Sequence, residues 1–208
     1  TEKFIADHKY TFIPAESLTG NFVDDNDIII DLSLDFFPEN ISYYSEKEEK
    51  LVFANIVKNS LAELQFHFGD ILCKIFGFNG LPTFINRSIL EVSLLNETDK
   101  AALDYACKEL ETEYVIVNDR VGMVTPRIVC MIINEACYTL QEGTATIADI
   151  DLGMKLGTNY PYGPFEWANK IGIGNTFEVL EALYQDTNEE RYKICPLLKT
   201  KYLKGETF

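Results

Sequence analysis

The sequence predicts an α/β part followed by an all-α part, and three observations carry that reading. Up to Asp119, short β-branched runs alternate with segments of helical spacing, the pattern of a mainly parallel sheet with crossover helices. Beyond Asp119 no strand pattern appears and long apolar and amphipathic stretches take over. The change falls near residues 118–121, dividing the chain into residues 1–119 and 120–208. At 208 residues, 47% hydrophobic and 25% charged, the composition is that of one large or two small globular domains with a real core.

Taken in order, residues 10–14 read as a strand ended by Pro14. Residues 27–32 are a second strand, with three consecutive isoleucines after the turn-like Asp24-Asp25-Asn26. Residues 51–57, 71–78, 89–93 and 114–117 are further strand candidates. Between the last two, Ala101, Leu103, Ala106 and Leu110 fall near helical spacing over residues 97–110, with Asn96 or Thr98 as the N-cap. Residues 121–140 form a long helical segment with Pro126 in its first turn. Gly143 stops it, and Thr146 or Asp149 starts a helix that ends near Gly157. A loop rich in Tyr, Pro and Gly follows. Two more helices span residues 164–171 and 175–184. There is no internal repeat and no low-complexity tract.

The net charge of −15 repels phosphate backbones and anionic lipid, which argues against nucleic acid or a membrane surface as partner. A polyanionic ligand would need a local basic or amide-rich pocket. No apolar run reaches the length of a membrane span and no secretory leader opens the chain, so a cytoplasmic protein is expected. The five cysteines form an odd set without a C-x-x-C pair and read as buried thiols. With only His8 and His67 in the chain, no zinc site is expected.

The stretch Gly157-Thr158-Asn159-Tyr160-Pro161-Tyr162-Gly163-Pro164-Phe165-Glu166-Trp167 follows Asn134-Glu135-Ala136, Glu142-Gly143 and Asp149-Ile150-Asp151. Together these resemble the helical C-terminal domain of the NAD-dependent 3-hydroxyacyl-CoA dehydrogenases, oxidoreductases of fatty-acid β-oxidation. The resemblance is strongest over residues 118–173 and extends through residues 75–92. It implies a Rossmann-type parallel-sheet domain in residues 1–119 and a helical domain in residues 120–208 through which two subunits associate as a homodimer. It also implies NAD as cofactor and an acyl-CoA thioester as ligand.

Residue by residue, the resemblance replaces several functional groups. Gly77-Phe78-Asn79-Gly80-Leu81-Pro82-Thr83 and Ile89-Leu90-Glu91-Val92 are similar to the family's Gly-x-His-Phe-Phe-Asn-Pro and Leu-Val-Glu-Val segments. Asn79 thus stands where a histidine accepts the 3-hydroxyl proton, and Glu91 where a glutamate orients it. An amide binds no proton near neutral pH, though it can hydrogen-bond a thioester or 3-keto oxygen. Pro126 stands where the family has an asparagine that contacts substrate, and it brings neither a side-chain donor nor an N–H. Its neighbour Arg127 reads as a structural ion pair. Asn59 and Ser60 match a serine-bearing substrate segment and read equally as a turn or a helix cap.

On the cofactor side, Asp31 and Asp35 lie in a segment similar to the family's Asp-x-Val-Ile-Glu-Ala-Val-x-Glu strand. No Gly-x-Gly-x-x-Gly occurs. Only 26 residues precede Asp27, so the resemblance implies either a shortened Rossmann-type domain or a chain that begins further upstream. Neither His8 nor His67 substitutes for the missing histidine. The aromatic segment 160–167 reads as a packed helix connection or as part of an acyl wall or dimer contact. Three functions follow: a degenerate member that keeps acyl-CoA or partner binding, an active NAD-dependent dehydrogenase, or a dimerisation subunit for an intact one.

Overall fold

Three isoleucines after an acidic turn begin the sheet of the computed structural model, which describes residues 10–208. Strands β1 (Ile28–Asp31), β2 (Leu51–Asn55), β3 (Lys74–Phe78), β4 (Ile89–Leu94) and β5 (Glu113–Ile116) lie side by side in that order. The central strands β2 and β3 are buried at four of five positions, which is why they read as apolar runs without alternation. β1 with β2, β2 with β3, and β4 with β5 pair in parallel.

β3 with β4 is antiparallel, and the sheet as a whole is mainly parallel, as expected. Only ten residues, 79–88, connect these strands, too few for a crossover helix, so the chain turns back. The strand expected at residues 10–14 is not formed and is corrected. That segment has no ladder partner among the described residues and passes into a 3-10 turn, Ala15–Ser17, after Pro14.

Helices α1 (Gly20–Asp24), α2 (Leu61–Phe68) and α3 (Lys100–Glu109) cover the sheet. One core, on the face of Ile29, Val52 and Ile75, takes in Leu34, Ile41, Tyr44 and Leu61. On the other, Phe53, Phe76, Phe78 and Val92 meet Leu103 and Ala106 of α3, with Phe53 5.2 Å from Phe76 and 6.2 Å from Phe78. Each such buried apolar side chain contributes about 1.5–3 kcal/mol. α3 is entered through a 3-10 turn, Glu97–Asp99, and neither Asn96 nor Thr98 supplies the expected side-chain cap. The start of α2 is doubly held. Ser60 and Glu63 form a reciprocal capping box, and the Asp119 carboxylate accepts the N–H groups of Leu61 and Ala62, both at 2.9 Å.

One compact unit ends at Met123; the other runs Val124–Phe208 and holds only helices. These are α4 (Thr125–Gln141), α5 (Ile147–Thr158), α6 (Pro164–Ile171), α7 (Ile173–Thr187) and α8 (Pro196–Lys204). Pro126 sits in the first turn of α4, and Thr146 caps α5 by accepting from the Asp149 N–H. Within α4, the buried Asn134 accepts from the Cys195 N–H (2.8 Å) and donates to the Lys193 carbonyl (2.9 Å), tying the segment before α8 to the helix. Arg127 hydrogen-bonds the Tyr192 hydroxyl at 2.7 Å. All five cysteines are buried free thiols, and burial pushes Cys73 and Cys130 up to about 12, so neither offers a thiolate at neutral pH. No helix among the described residues is long and apolar enough to cross a membrane.

Candidate functional site

The carboxyl ends of β1, β2 and β3 converge on one hydrogen-bonded cluster, the position where open α/β sheets carry their sites. Asn55, buried at the end of β2, accepts from the Gly80 N–H (2.8 Å). Its amide nitrogen donates to the Leu32 carbonyl (3.4 Å) and to Asp35 (3.3 Å). The Asp35 carboxylate accepts the N–H groups of Val57 (2.8 Å) and Lys58 (3.0 Å) and the Asn59 amide (3.5 Å). Asp35 as a whole residue is only half-buried, but protein surrounds its carboxylate. Desolvation therefore dominates and raises its pKa to about 6 against the pull of those donors. Asp31 is committed in the same way: it accepts the Ser33 N–H (2.8 Å), the Ser33 hydroxyl (2.7 Å) and the Tyr44 hydroxyl (3.1 Å).

From this cluster the segment after β3 carries Asn79 into a cavity of about 400 Å³, lined also by Phe84, Arg87, Ser88, Ile89 and Glu91. Asn79 and Glu91, twelve positions apart in sequence, therefore share one cavity because β3 and β4 run antiparallel. Asn79 is 4% exposed, and its Oδ1 accepts the Leu81 N–H at 3.3 Å. Gly77 precedes it because any Cβ there would overlap Ser93 Oγ and Ile56 Cγ2. Thr83 in the same segment holds a positive φ of 75°, strain of order 1–3 kcal/mol for a β-branched residue. Arg87 lies over the Phe84 ring, 4.9 Å from its centroid, and brings a cation to the cavity wall of an acidic protein.

The other positions are not among the residues that line this cavity. Ser60 is the N-cap of α2 and Asn59 binds Asp35, so both take part in caps and turns. Pro126 lies in the helical unit. His67 is exposed in the last turn of α2, edge-on to Phe66, while His8 lies outside the described residues. Among the described residues, no group of three His, Cys, Asp or Glu side chains is placed to hold a metal ion.

The aromatic segment 160–167 is explained by its own contacts. Asp151 of α5 accepts the N–H groups of Phe165 (2.8 Å) and Glu166 (3.2 Å), capping α6, while Glu166 accepts the Gly163 N–H (3.1 Å) and pairs with Lys155 (3.0 Å). Those two donors hold the Glu166 carboxyl below its usual range. Tyr160 and Tyr162 pack on Trp167 at 5.3 and 6.3 Å. Sequence reasoning missed Asn55, Asp119 and the reach of Asp151; the signal was a polar residue directly after a buried run, as at Asn55.

Residues 122–207 match the family model of the 3-hydroxyacyl-CoA dehydrogenase C-terminal domain. The chain is similar to the 3-hydroxyadipyl-CoA dehydrogenase of Escherichia coli (strain K12), 46% identical over 87 residues that cover 42% of this chain and 18% of that protein. It is also similar to a probable 3-hydroxybutyryl-CoA dehydrogenase of Bacillus subtilis (strain 168), 38% identical over 126 residues, or 60% of this chain and 44% of that protein. The chain thus spans less than half the length of the first curated relatives it matches. Among solved structures, the (S)-3-hydroxybutyryl-CoA dehydrogenase PaaH1 from Ralstonia eutropha superposes with a TM-score of 0.73 at 25% identity, over 91% of this chain and 69% of that one.

Proposed function

We propose that this chain is a member of the 3-hydroxyacyl-CoA dehydrogenase family that binds an acyl-CoA thioester without dehydrogenating it. The observation that carries this reading is Asn79. By the motif resemblance it stands where the family has a histidine; it shares one cavity with Glu91, and its amide has no proton to take up or return at neutral pH. What the amide retains is hydrogen bonding, enough to orient a thioester or keto oxygen. Glu91 is then a carboxylate left without a base to support.

Of the positions on the cofactor side, Asp31 and Asp35 are both committed within the protein. Asp31 and Asp35 face inward to Ser33, Tyr44, Val57 and Lys58, so neither carboxylate is presented to a ribose.

Acetoacetyl-CoA with NADH is the discriminating assay. The expected result is saturable acetoacetyl-CoA binding by calorimetry and no NADH oxidation above background. Asn79→Ala should weaken that binding about five- to tenfold, the worth of one hydrogen bond of roughly 1 kcal/mol. Robust turnover by the unaltered protein would sink this reading and restore the active NAD-dependent one; absence of binding would sink it from the other side.

The helical unit supports pairing of two copies. α5 buries only Asp151, while Leu152 and Leu156, one turn apart, are 55% and 77% exposed, and Ile128 of α4 is 53% exposed. Leu152→Glu with Leu156→Glu is expected to convert a dimer to a monomer in light scattering. A monomeric parent that co-elutes with a full-length family dehydrogenase would instead favour the role of dimerisation subunit.

A further inference from the structure

Among the described residues that line the Asn79 cavity, Arg87 is the one cation and Glu91 the one anion. The chain from Asn79 to Arg87 is held by its own turns. Asn79 Oδ1 accepts the Leu81 N–H, the Leu81 carbonyl accepts the N–H groups of Phe84 (3.1 Å) and Ile85 (3.2 Å), and the Phe84 carbonyl accepts the Arg87 N–H (3.1 Å). Phe84 is 3% exposed, and its ring supports the guanidinium at 4.9 Å. Amide and cation are thus presented to the cavity from one ordered segment, with little left to arrange on binding. Arg87 is exposed, and a guanidinium has five N–H donors, more than one carboxylate engages. It can therefore take a ligand oxygen beside any carboxylate it already holds.

Size restricts which anionic group of a thioester that oxygen belongs to. A cavity of about 400 Å³ is roughly 9 Å across as a sphere, so groups held by Asn79 and Arg87 lie within about that distance. The pantetheine arm of a CoA thioester is about thirteen bonds long and, extended, carries the phosphates on the order of 15 Å from the sulfur. The far end of a short acyl chain lies within the cavity; the phosphates lie beyond it. We propose that this cavity selects acyl thioesters whose chain ends in a carboxylate, with Arg87 binding that carboxylate and Asn79 the thioester or 3-oxo oxygen. This rests on the acyl-thioester reading of the same cavity. Phe84, Ile89 and Val115 supply apolar wall for the methylenes. Glu91 and the net charge of −15 both oppose a second carboxylate, so the charge on Arg87 decides the sign of the preference.

The test compares 3-oxoadipyl-CoA with 3-oxohexanoyl-CoA, equal in chain length and different at the far end, by calorimetry on the full chain. At low salt the carboxylate-ended ester should bind about tenfold more tightly, and the ratio should shrink as salt is added. Arg87→Gln should bring the ratio to one or below, because Glu91 then faces the carboxylate alone. Arg87→Lys should keep part of it, as charge without the planar fork. The pantetheine thioesters of the same two acids, which lack phosphate, should give the same ratio as the CoA esters. Two results overturn this proposal alone: equal affinity of the two CoA esters for the unaltered protein, or Arg87→Gln weakening both CoA esters alike and neither pantetheine ester, which assigns Arg87 to the phosphates. Binding of neither ester overturns it together with the acyl-thioester reading. NADH oxidation by 3-oxoadipyl-CoA with the ratio intact removes the non-dehydrogenating reading and supports the role of Arg87.

Discussion

Replacing Gly163 with alanine is expected to destabilise the helical unit by roughly 3 kcal/mol, lowering its thermal midpoint by about 12–24 °C. A Cβ at this position would overlap the Cβ, Cγ and Oδ1 of Asp151. That side chain cannot swing aside freely, because its two oxygens hold the N–H groups of Phe165 and Glu166 at the start of α6. Two costs therefore add: overpacking of about 1–3 kcal/mol and the loss of a helix cap of about 1 kcal/mol. A double-mutant cycle checks the cause. Asp151→Ala alone loses the cap, but in the Asp151→Ala background the alanine at 163 has less to collide with, so the pair should cost at least about 1 kcal/mol less than the sum. Strict additivity would show that the close approach is not what requires glycine.

The second large effect is a pH dependence centred on Asp35. Its folded pKa is raised to about 6 by burial, above about 3.9 for an unfolded aspartate, so the folded state favours the protonated form. The sign follows from that order. The group's contribution to stability is fully present below about pH 4 and is lost as the pH rises through 6, a change of up to about 2–3 kcal/mol. Asp35→Asn should remove this component. Denaturant titrations from pH 4 to pH 8 should therefore show the unaltered protein losing stability relative to the variant as the pH climbs. The absolute difference also includes one donor set against a donor, since an amide cannot accept both the Val57 and Lys58 N–H groups. Parallel curves would mean that the carboxylate ionises in the fold as it does in the open chain.

Residue pattern made much of this architecture legible, and the failures have physical causes. β1 to β5 stand out because runs such as Leu51–Asn55 are apolar on both faces, and α4 because Pro126 and Gly143 punctuate it. α2 was hidden because its face is mixed, with Phe66 and His67 exposed beside Leu61 and Leu64, so the helix depends on its caps. α8 was hidden because Leu198 is its one fully buried residue and the side-chain Oε1 of Gln141 in α4 accepts its first free N–H, at Leu197. The reversal between β3 and β4 could be inferred only from connection length. Of the candidate site, motif alignment named Asn79 and Glu91, and the antiparallel turn places both on one cavity. Asn55 and Asp119 were not legible, because their partners are 25 and 58 positions away and only the tertiary structure brings them together.

The two carboxylates that cap helices, Asp151 and Asp119, differ most in how far along the chain each must reach. Asp151 finds its partners 14 and 15 residues on, a loop that closes in well under a microsecond once its flanking turns exist. Asp119 reaches back 58 and 57 residues to α2, and only after the strands between have paired. The Asp151 contacts are therefore available to an early nucleus of the helical unit, and the Asp119 contacts are among the last to form in the sheet unit. On a ribosome that order is reinforced for α2, which waits for more than fifty further residues before its second cap emerges.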